Sequence, residues 1–305
     1  MSGPPQVSVV ITTCGRPRML AEAVGSVLQQ EMIPSEIIIV DDGGERDARD
    51  VVNSLPPDGP PVRVVDGPGK GPGAARNIGL RLANGGFVAF LDDDDQWAPP
   101  KTKEQAHWLA RSSELGVLGT RAMTVRCRTF PVGSLRGDYA GPRPLPLRSL
   151  ARANRLVLSS VMARRECLAD VGGFDESLAL AQDWDLWLRV AESGWGLALL
   201  ETPFVAYHRH EGQRSANRTE MRRWECIVLK KALARREQGA AAPAVRRRLA
   251  WAHARLGRLL VREGQVEGGY QELRRSMSFF GWNPVVWAAA ARCVLSRRVW
   301  QGARP

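Results

Sequence analysis

Short runs of β-branched and apolar residues alternate with helix-like segments through the first third of this 305-residue chain. The runs are too short for buried helices and are bounded by polar turn residues, so they predict β-strands. Strands separated by helices imply crossover connections and parallel pairing. The expected strands are residues 7–13, 37–40, 62–65 and 87–91, and the expected helices are residues 17–30 and 71–83.

Polar residues stand at the carboxyl ends of three of these strands. They are Thr12-Thr13, Asp41-Asp42 and the four consecutive aspartates of residues 92–95. The carboxyl ends of parallel strands meet at one edge of a sheet, which is where α/β folds bind their ligands. One polar strand end alone could be a solvated turn, but three on one edge predict a binding crevice.

The run of four aspartates needs a compensating positive charge. Carboxylates one or two residues apart repel each other, and a hard divalent cation held by their oxygens would relieve that repulsion. Two other readings remain open from the run alone. It could be a solvated acidic turn, or it could supply N-caps for a helix expected over residues 99–111, the role that suits Asp95 best.

Composition limits the class of protein. The five cysteines are widely spaced without a C-x-x-C pair, so we expect neither a disulfide framework nor a structural zinc site. Neither a signal peptide nor a run of about 18 apolar residues is recognisable. We therefore expect a cytoplasmic protein, one that could associate peripherally with the inner face of the membrane.

The net charge of +11 is concentrated at one end of the chain. Residues 211–305 hold 20 of the 43 basic residues but only 7 of the 32 acidic ones. A nearly neutral body with a basic extension suggests a catalytic domain that carries a docking segment. Because no nucleic-acid-binding motif accompanies the arginines, we expect no nucleic-acid partner.

Three parts of the chain are expected. They are residues 1–111, residues 112–211 and a basic helical extension over residues 212–305. Within these parts we expect a loop at 137–148, a helix at 183–193, a strand at 197–205, a linker at 239–244 and a helix pair at 251–262 and 266–278. The tryptophan-rich segment 279–295 suits an interfacial helix on an anionic membrane, or a helix that packs on the catalytic body or on a second subunit of a homodimer.

Five motifs, in this order along residues 7–210, resemble those of the family 2 inverting glycosyltransferases. They are Val7 to Thr13 with Arg16-Pro17; Ile39-Val40-Asp41-Asp42-Gly43; Ala75-Arg76-Asn77-Ile78-Gly79; Phe90-Leu91 with the four aspartates; and Gly172-Gly173-Phe174-Asp175 with Gln182-Asp183-Trp184-Asp185. The resemblance implies a GT-A fold, which is an α/β, Rossmann-like mixed sheet flanked by helices. It further implies that residues 1–111 form the nucleotide-sugar-binding half of this fold and residues 112–211 the acceptor-binding half that holds the catalytic base. The C-terminal α-helical extension lies outside it.

The resemblance also implies a role for each matching residue. Thr12 and Asp42 would contact the nucleotide base beside Thr13 and Asp41, Arg76 would lie near the base and phosphates, and Asp92 or Asp93 would bind the ribose. Asp94 would coordinate Mn²⁺ or Mg²⁺, with Asp92 and His210 as further ligands. Asp183 would be the catalytic base, although as an isolated residue it could equally be a helix N-cap, a role that Asp185 could also fill.

Two positions depart from the family's pattern. Cys14 stands where an aromatic residue often stacks on uracil. A UDP-sugar is the donor that we expect most, but because Cys14 cannot stack, dTDP- and GDP-sugars remain alternative donors. Gln182 replaces an acidic residue before the base, which removes one negative neighbour and favours an ionised Asp183.

The expected function is metal-dependent, inverting transfer of a sugar from a nucleotide-diphosphate donor to a hydroxyl. The acceptor would be a glycan, a lipid-linked sugar or a small molecule. Two alternatives are a sugar-phosphate nucleotidylyltransferase, which would need more glycines after the first strand than residues 12–17 supply, and a non-enzymatic nucleic-acid-binding protein.

Overall fold

The computed structural model describes residues 5–43, 47–125, 139–210, 213, 216–235 and 242–279. The chain divides into two compact units. The first contains Met1–Leu150 and Asn154–Gln213, and the second contains Ala151–Ala153 and Arg214–Pro305.

The first unit is a mixed sheet flanked by helices. Its strands are β1 (Val7–Thr13), β2 (Glu36–Asp41), β3 (Val62–Asp66), β4 (Phe87–Asp92), β5 (Gln96–Trp97), β6 (Leu115–Val125), β7 (Arg143–Pro144), β8 (Met162–Arg164) and β9 (Gly196–His208). Its helices are α1 (Pro17–Leu28), α2 (Asp47–Asn53), α3 (Pro72–Leu82), α4 (Lys101–Arg111), α5 (Leu147–Leu150), α6 (Arg165–Asp170) and α7 (Gln182–Glu192), with a 3₁₀ turn at Leu158–Ser160.

The strand order is β3-β2-β1-β4-β8-β6-β9-β5, and β7 pairs with β9. The four strands expected from the sequence pair in parallel, because a helical crossover joins each to the next along the chain. Beyond them β8 is antiparallel to both β4 and β6, while β6 and β9 run parallel. The GT-A type α/β mixed sheet expected from the sequence is confirmed.

The register of the parallel strands brings their polar ends to one level. Thr12 lies beside Val40 on one side and beside Asp92 on the other, and Thr13 lies beside Asp41. All seven residues of β1 are buried, since helices cover both faces of this part of the sheet. The acidic strand ends therefore open onto a single edge of a rigid sheet.

The structure corrects several boundaries. The helix expected from residue 99 is α4, whose N-cap is Pro100, so the aspartates do not cap it and the capping role expected for Asp95 is wrong. The segment 137–148, expected as a loop, includes β7 and the start of α5 where it is described. The strand expected at 197–205 extends over residues 196–208 as β9.

The second unit contains three helices in its described part: α8 (Arg218–Arg235), α9 (Ala242–Arg262) and α10 (Val266–Phe279). The expected helix pair is present, but α9 already begins inside the linker expected at 239–244. Beyond Phe279 the proposed interfacial segment lies outside the described residues. Across the described helices, none combines the length and the apolar character needed to cross a membrane.

Candidate functional site

The carboxyl edge of the central strands holds a network of carboxylates and cations. The Thr13 hydroxyl donates to Asp93 Oδ2 at 2.7 Å. Arg16, just before α1, bridges two aspartates: its Nη2 lies 2.6 Å from Asp93 Oδ1 and its Nη1 lies 3.1 Å from Asp94 Oδ2. Strand β1 and the loop after it thus hold the middle of the acidic run.

The outer members of the run have different partners. Asp92 Oδ1 accepts from Arg76 Nη2 at 2.7 Å. Asp95 is 1% exposed, and its two oxygens accept from the Ser159 hydroxyl at 2.5 Å and from the His208 backbone N–H at 3.1 Å. Ser159 Oγ also accepts the Asp92 N–H at 3.1 Å, so one hydroxyl joins both ends of the run.

Two carboxylates of this run are buried, and the cations beside them do not fully offset the cost of burying their negative charge. Burial raises the pKa of Asp93 to about 6, against the opposing effects of Arg16 and Thr13. Burial, and then the charges of Asp92 and Asp94, raise the pKa of Asp95 well above its ordinary value. Although burial opposes it, the charges of Asp93 and Asp94 raise the pKa of Arg16. The edge is a site where a further cation would be favourable.

The donor set of the run fits a hard divalent metal ion. Asp92, Asp94 and Asp95 each offer a carboxylate oxygen within 4.8 Å of the others, and oxygen is the ligand that Mg²⁺ and Mn²⁺ prefer. His210 Nε2 lies 2.9 Å from Asp94 Oδ2, so the histidine expected as a ligand is beside the group. Asp95, to which the sequence assigned no metal role, is the third member.

A cleft that is open to solvent lies against this run. Asp94, His210 and Arg209 line it together with Met19 and Gln96, and the cleft therefore has anionic and cationic walls.

Asp42 organises the loop that leads into α3. Its two carboxylate oxygens accept the backbone N–H groups of Gly69 at 2.9 Å and Gly71 at 2.8 Å. A Cβ on Gly67 would lie 2.7 Å from Asp42 Oδ1, so only glycine fits there. Asp41 Oδ1 accepts from the Gly43 N–H at 3.1 Å, and neighbouring Thr12 is buried.

Arg76 joins the acidic run to the helix that bears the expected base. Its Nη2 contacts Asp92, and its Nη1 donates to Gln182 Oε1 at 3.1 Å. The Arg76 guanidinium lies 5.7 Å from the centre of the Phe174 ring, and Asn77 exchanges hydrogen bonds with the Phe174 backbone at 2.8 and 2.9 Å. The Ala-Arg-Asn motif therefore fixes the Gly-Gly-Phe-Asp turn onto α3.

Asp183 lies in the first turn of α7, behind Ala181, whose left-handed φ of 58° turns the chain into the helix. Its oxygens accept from Asn154 Nδ2 and from the Trp184 N–H, both at 2.7 Å. Burial raises the pKa of Asp183, an effect larger than that of either hydrogen bond. The sequence suggested that Gln182, in place of an acidic residue, would favour an ionised Asp183. Burial has the larger effect, and the pKa of Asp183 is raised.

Several contacts of the site have no signal in the sequence. Ser159 and Asn154 lie in the poorly patterned segment 112–169, and each meets its aspartate only because the chain folds back. Arg16 stood within a motif, and its position before Pro17 marked a helix start without indicating a charge partner. His208 reaches Asp95 through its backbone N–H, a contact that no sequence pattern indicates.

The fold is of the GT-A type found in solved glycosyltransferases. S. aureus TarS in complex with UDP-GlcNAc has a TM-score of 0.60 at 17% identity, covering 90% of this chain and 92% of that one. The mannosyltransferase PcManGT from Pyrobaculum calidifontis, in complex with GDP-Man and Mn²⁺, has a TM-score of 0.60 at 19% identity, covering 98% and 84%.

The family follows from the sequence. The model of glycosyl transferase family 2 matches residues 8–161, half of the chain, and the chain therefore belongs to that family of enzymes. This membership decides against the nucleotidylyltransferase and the non-enzymatic alternatives.

The curated relatives include proteins with assigned reactions. The Escherichia coli protein WfaP, a UDP-Glc:alpha-D-GlcNAc-diphosphoundecaprenol beta-1,3-glucosyltransferase, is 26% identical over 70% of this chain and 80% of its own. The uncharacterized glycosyltransferase alr2836 of Nostoc is 37% identical, but the match spans only 37% of this chain and 35% of that protein.

Proposed function

We propose that this protein transfers a sugar from a nucleotide-diphosphate donor to an acceptor hydroxyl, with inversion and with the help of a divalent metal ion. The observation that carries the proposal is the network on one sheet edge. In it Arg76 contacts both Asp92, in the acidic run, and Gln182, the residue next to the expected base. Donor and acceptor chemistry would thus meet across a single crevice.

The donor would lie along the acidic run. Asp92, Asp94 and Asp95 are the residues that would hold Mn²⁺ or Mg²⁺, which when bound supplies charge stabilisation to a diphosphate leaving group. Arg16, beside Asp94, would add positive charge near the phosphates. His210, also beside Asp94, would offer a ring nitrogen to the metal ion. Asp93, held by Thr13 and Arg16, suits a hydrogen bond to the ribose.

The base of the nucleotide would lie near Asp42. Each Asp42 oxygen accepts one loop N–H, which leaves lone pairs for a base N–H. The neighbouring Cys14 is exposed and offers no ring for stacking. We propose a UDP-sugar first, with dTDP- and GDP-sugars as the competing donors.

Asp183 would take the proton of the attacking hydroxyl. Inversion requires attack from the face opposite the leaving group, with a carboxylate in reach of the hydroxyl. Asn154 holds one Asp183 oxygen and the Trp184 N–H holds the other, which would fix the orientation of the carboxylate. A raised pKa makes this carboxylate a stronger base than an exposed aspartate.

We propose a lipid-linked sugar as the acceptor. WfaP and the Campylobacter jejuni GalNAc(5)-diNAcBac-PP-undecaprenol beta-1,3-glucosyltransferase are both named for undecaprenol-linked acceptors, and the latter is 36% identical over 30% of each chain. The enzyme would then work where such lipids are, at the inner face of the membrane.

Two variants separate the proposed roles. Asp183→Asn should lower the transfer rate by about 10²- to 10⁴-fold while leaving nucleotide affinity nearly intact. Asp94→Ala should instead weaken Mn²⁺-dependent nucleotide binding in calorimetry. Exposed Asp58→Asn is the matched control and should change neither. Full activity of Asp183→Asn, or unchanged affinity of Asp94→Ala, would contradict the respective role.

A further inference from the structure

One face of α9 carries a line of arginines. At 100° per residue, Arg247, Arg255, Arg258 and Arg262 fall with Trp251 within about 80° of the helix circumference. With a rise of 1.5 Å per residue, they extend along about 22 Å of the helix. We call these five residues the arginine stripe.

The arginine stripe lies on the outer side of α9. Arg247, Arg255 and Arg262 are exposed, while Arg258 and Trp251 are half-buried. The opposite face of the helix is buried and apolar, with Leu249, Leu256 and Leu260 among its members. The helix therefore packs through one side and presents the arginines on the other.

Within the described part of the chain, the arginine stripe has no acidic partner. α9 itself contains no acidic residue, and none of the four stripe arginines forms an ion pair with another described residue. Arg248, on the flank of the stripe, does pair with Glu225 at 3.2 Å. Burial lowers the pKa of Arg248, and the charge of Arg255 lowers it further, against the effect of Glu225.

We propose that the arginine stripe binds the surface of a bilayer that contains anionic phospholipids. A straight line of cations on one helix face matches a flat anionic surface, where each arginine near the headgroups contributes independently. Trp251 within the line is a residue type that favours the membrane interface. The choice of a membrane rests on the proposed lipid-linked acceptor, which the catalytic unit of the same chain must reach.

A nucleic acid fits the arginine stripe less well. Arginine can read guanine, but reading adenine takes asparagine or glutamine, and α9 has neither. Single-stranded nucleic acids bind on several aromatic platforms, whereas the stripe has one tryptophan. A duplex titration nevertheless belongs in the test, because phosphates attract arginines without regard to sequence.

The test is sedimentation of the full chain with vesicles of phosphatidylcholine alone or mixed equally with phosphatidylglycerol. The stripe variant replaces its four arginines by glutamine. The matched control replaces four exposed arginines of the first unit in the same way, namely Arg63, Arg81, Arg111 and Arg148, and so has the same net charge. A third variant changes the four stripe arginines to lysine.

The wild type should bind only the anionic vesicles, and added salt should weaken the binding. Each arginine that is replaced should lower the affinity for anionic vesicles by about 5-fold. The stripe variant, which lacks four, should therefore bind these vesicles several hundred-fold more weakly than the wild type. The control and the lysine variant should bind within a few-fold of wild type. An equal loss in the control would overturn the proposal, because binding would then follow net charge. Tighter, stripe-dependent binding to a DNA duplex would also overturn it.

This result is separable from the proposed reaction. Asp94→Ala should leave vesicle binding unchanged, since the measurement uses neither donor nor metal. If the chain binds vesicles through the stripe but transfers no sugar, the proposed membrane-binding surface is supported and the proposed reaction is refuted. If the chain transfers sugar but the stripe variant binds vesicles as well as the wild type does, the reaction is supported and the membrane-binding surface is refuted.

Discussion

Lys101 offers a test of the packing beneath the acidic run. The side chain is fully buried, and among the described residues its Nζ has no hydrogen-bond partner and lies 3.8 Å from the centre of the Trp97 ring. Trp97 in turn donates to the Ser159 carbonyl at 2.7 Å, and Ser159 holds Asp95. Lys101 is thus one layer below the proposed metal site.

The amine should be neutral in the folded protein. A desolvated cation–π contact with Trp97 is worth about 2 kcal/mol, whereas burying an ammonium costs several kcal/mol. The N-terminal end of α4 adds a positive dipole next to Lys101. Burial accordingly lowers the pKa of Lys101 well below its ordinary value.

Lys101→Met should therefore stabilise the first unit. Between the folded pKa and the unfolded value near 10.4, the unfolded chain binds the extra proton, so wild-type stability rises with pH by up to about 1.4 kcal/mol per unit. The methionine variant has no ionisable group at this position, so its stability lacks this dependence on pH. At pH 7 its gain in the free energy of unfolding has a ceiling of about 5 kcal/mol, less any loss in packing.

Urea unfolding of both proteins at pH 7, 8, 9 and 10, followed by tryptophan fluorescence, measures this gain. The difference between variant and wild type should shrink as the pH rises. Lys103→Met is the control, because Lys103 is exposed on the same helix and pairs with Glu31, and it should stay within about 0.5 kcal/mol at every pH. A difference that does not depend on pH, or a less stable methionine variant, would refute the neutral amine.

The remaining predictions concern the site and the helices around it. Because burial raises the pKa of Asp183, a plot of log kcat against pH should fall on the acidic side at a pH above the ordinary aspartate value of about 3.9, and a fall at or below that value would count against the base. Ser159→Ala should weaken Mn²⁺ binding about 10-fold in calorimetry, since it removes a hydrogen bond to a proposed ligand. Gly79→Ala should lower the free energy of unfolding by about 1–3 kcal/mol, because the new Cβ would lie 2.3 Å from Val10 Cγ1. Gly25→Ala is the control, since its Cβ would meet nothing within 4 Å, and it should raise the free energy of unfolding by about 0.5–1 kcal/mol in the same urea titration.

The strands of the first half could be predicted because their signal is local. A strand buried on both faces, such as β1 or β2, is apolar along most of its length. The polar residue that ends such a strand marks the edge where ligands bind, and the register of Thr12 with Asp92 follows from parallel pairing. This much of the edge is determined by short-range pattern.

The contacts that complete the site could not be predicted in this way. Ser159 meets Asp95 across 64 residues and Asn154 meets Asp183 across 29, and neither contact leaves a periodic trace. β8 is only three residues long, which is too short for an alternating pattern. The interpretation of Asp95 as a helix cap was wrong because a local rule was applied to a residue whose partners are distant.

The stereochemistry of transfer tests the central claim most directly. The chain would be incubated with Mn²⁺, an α-linked UDP-sugar and an acceptor bearing a diphospho-lipid-linked sugar, and the anomeric configuration of the product would be read by proton NMR. We predict a β-linked product that Asp183→Asn forms about 10²- to 10⁴-fold more slowly than the wild type. An α-linked product, or a β-linked product formed equally well by Asp183→Asn, would contradict the account.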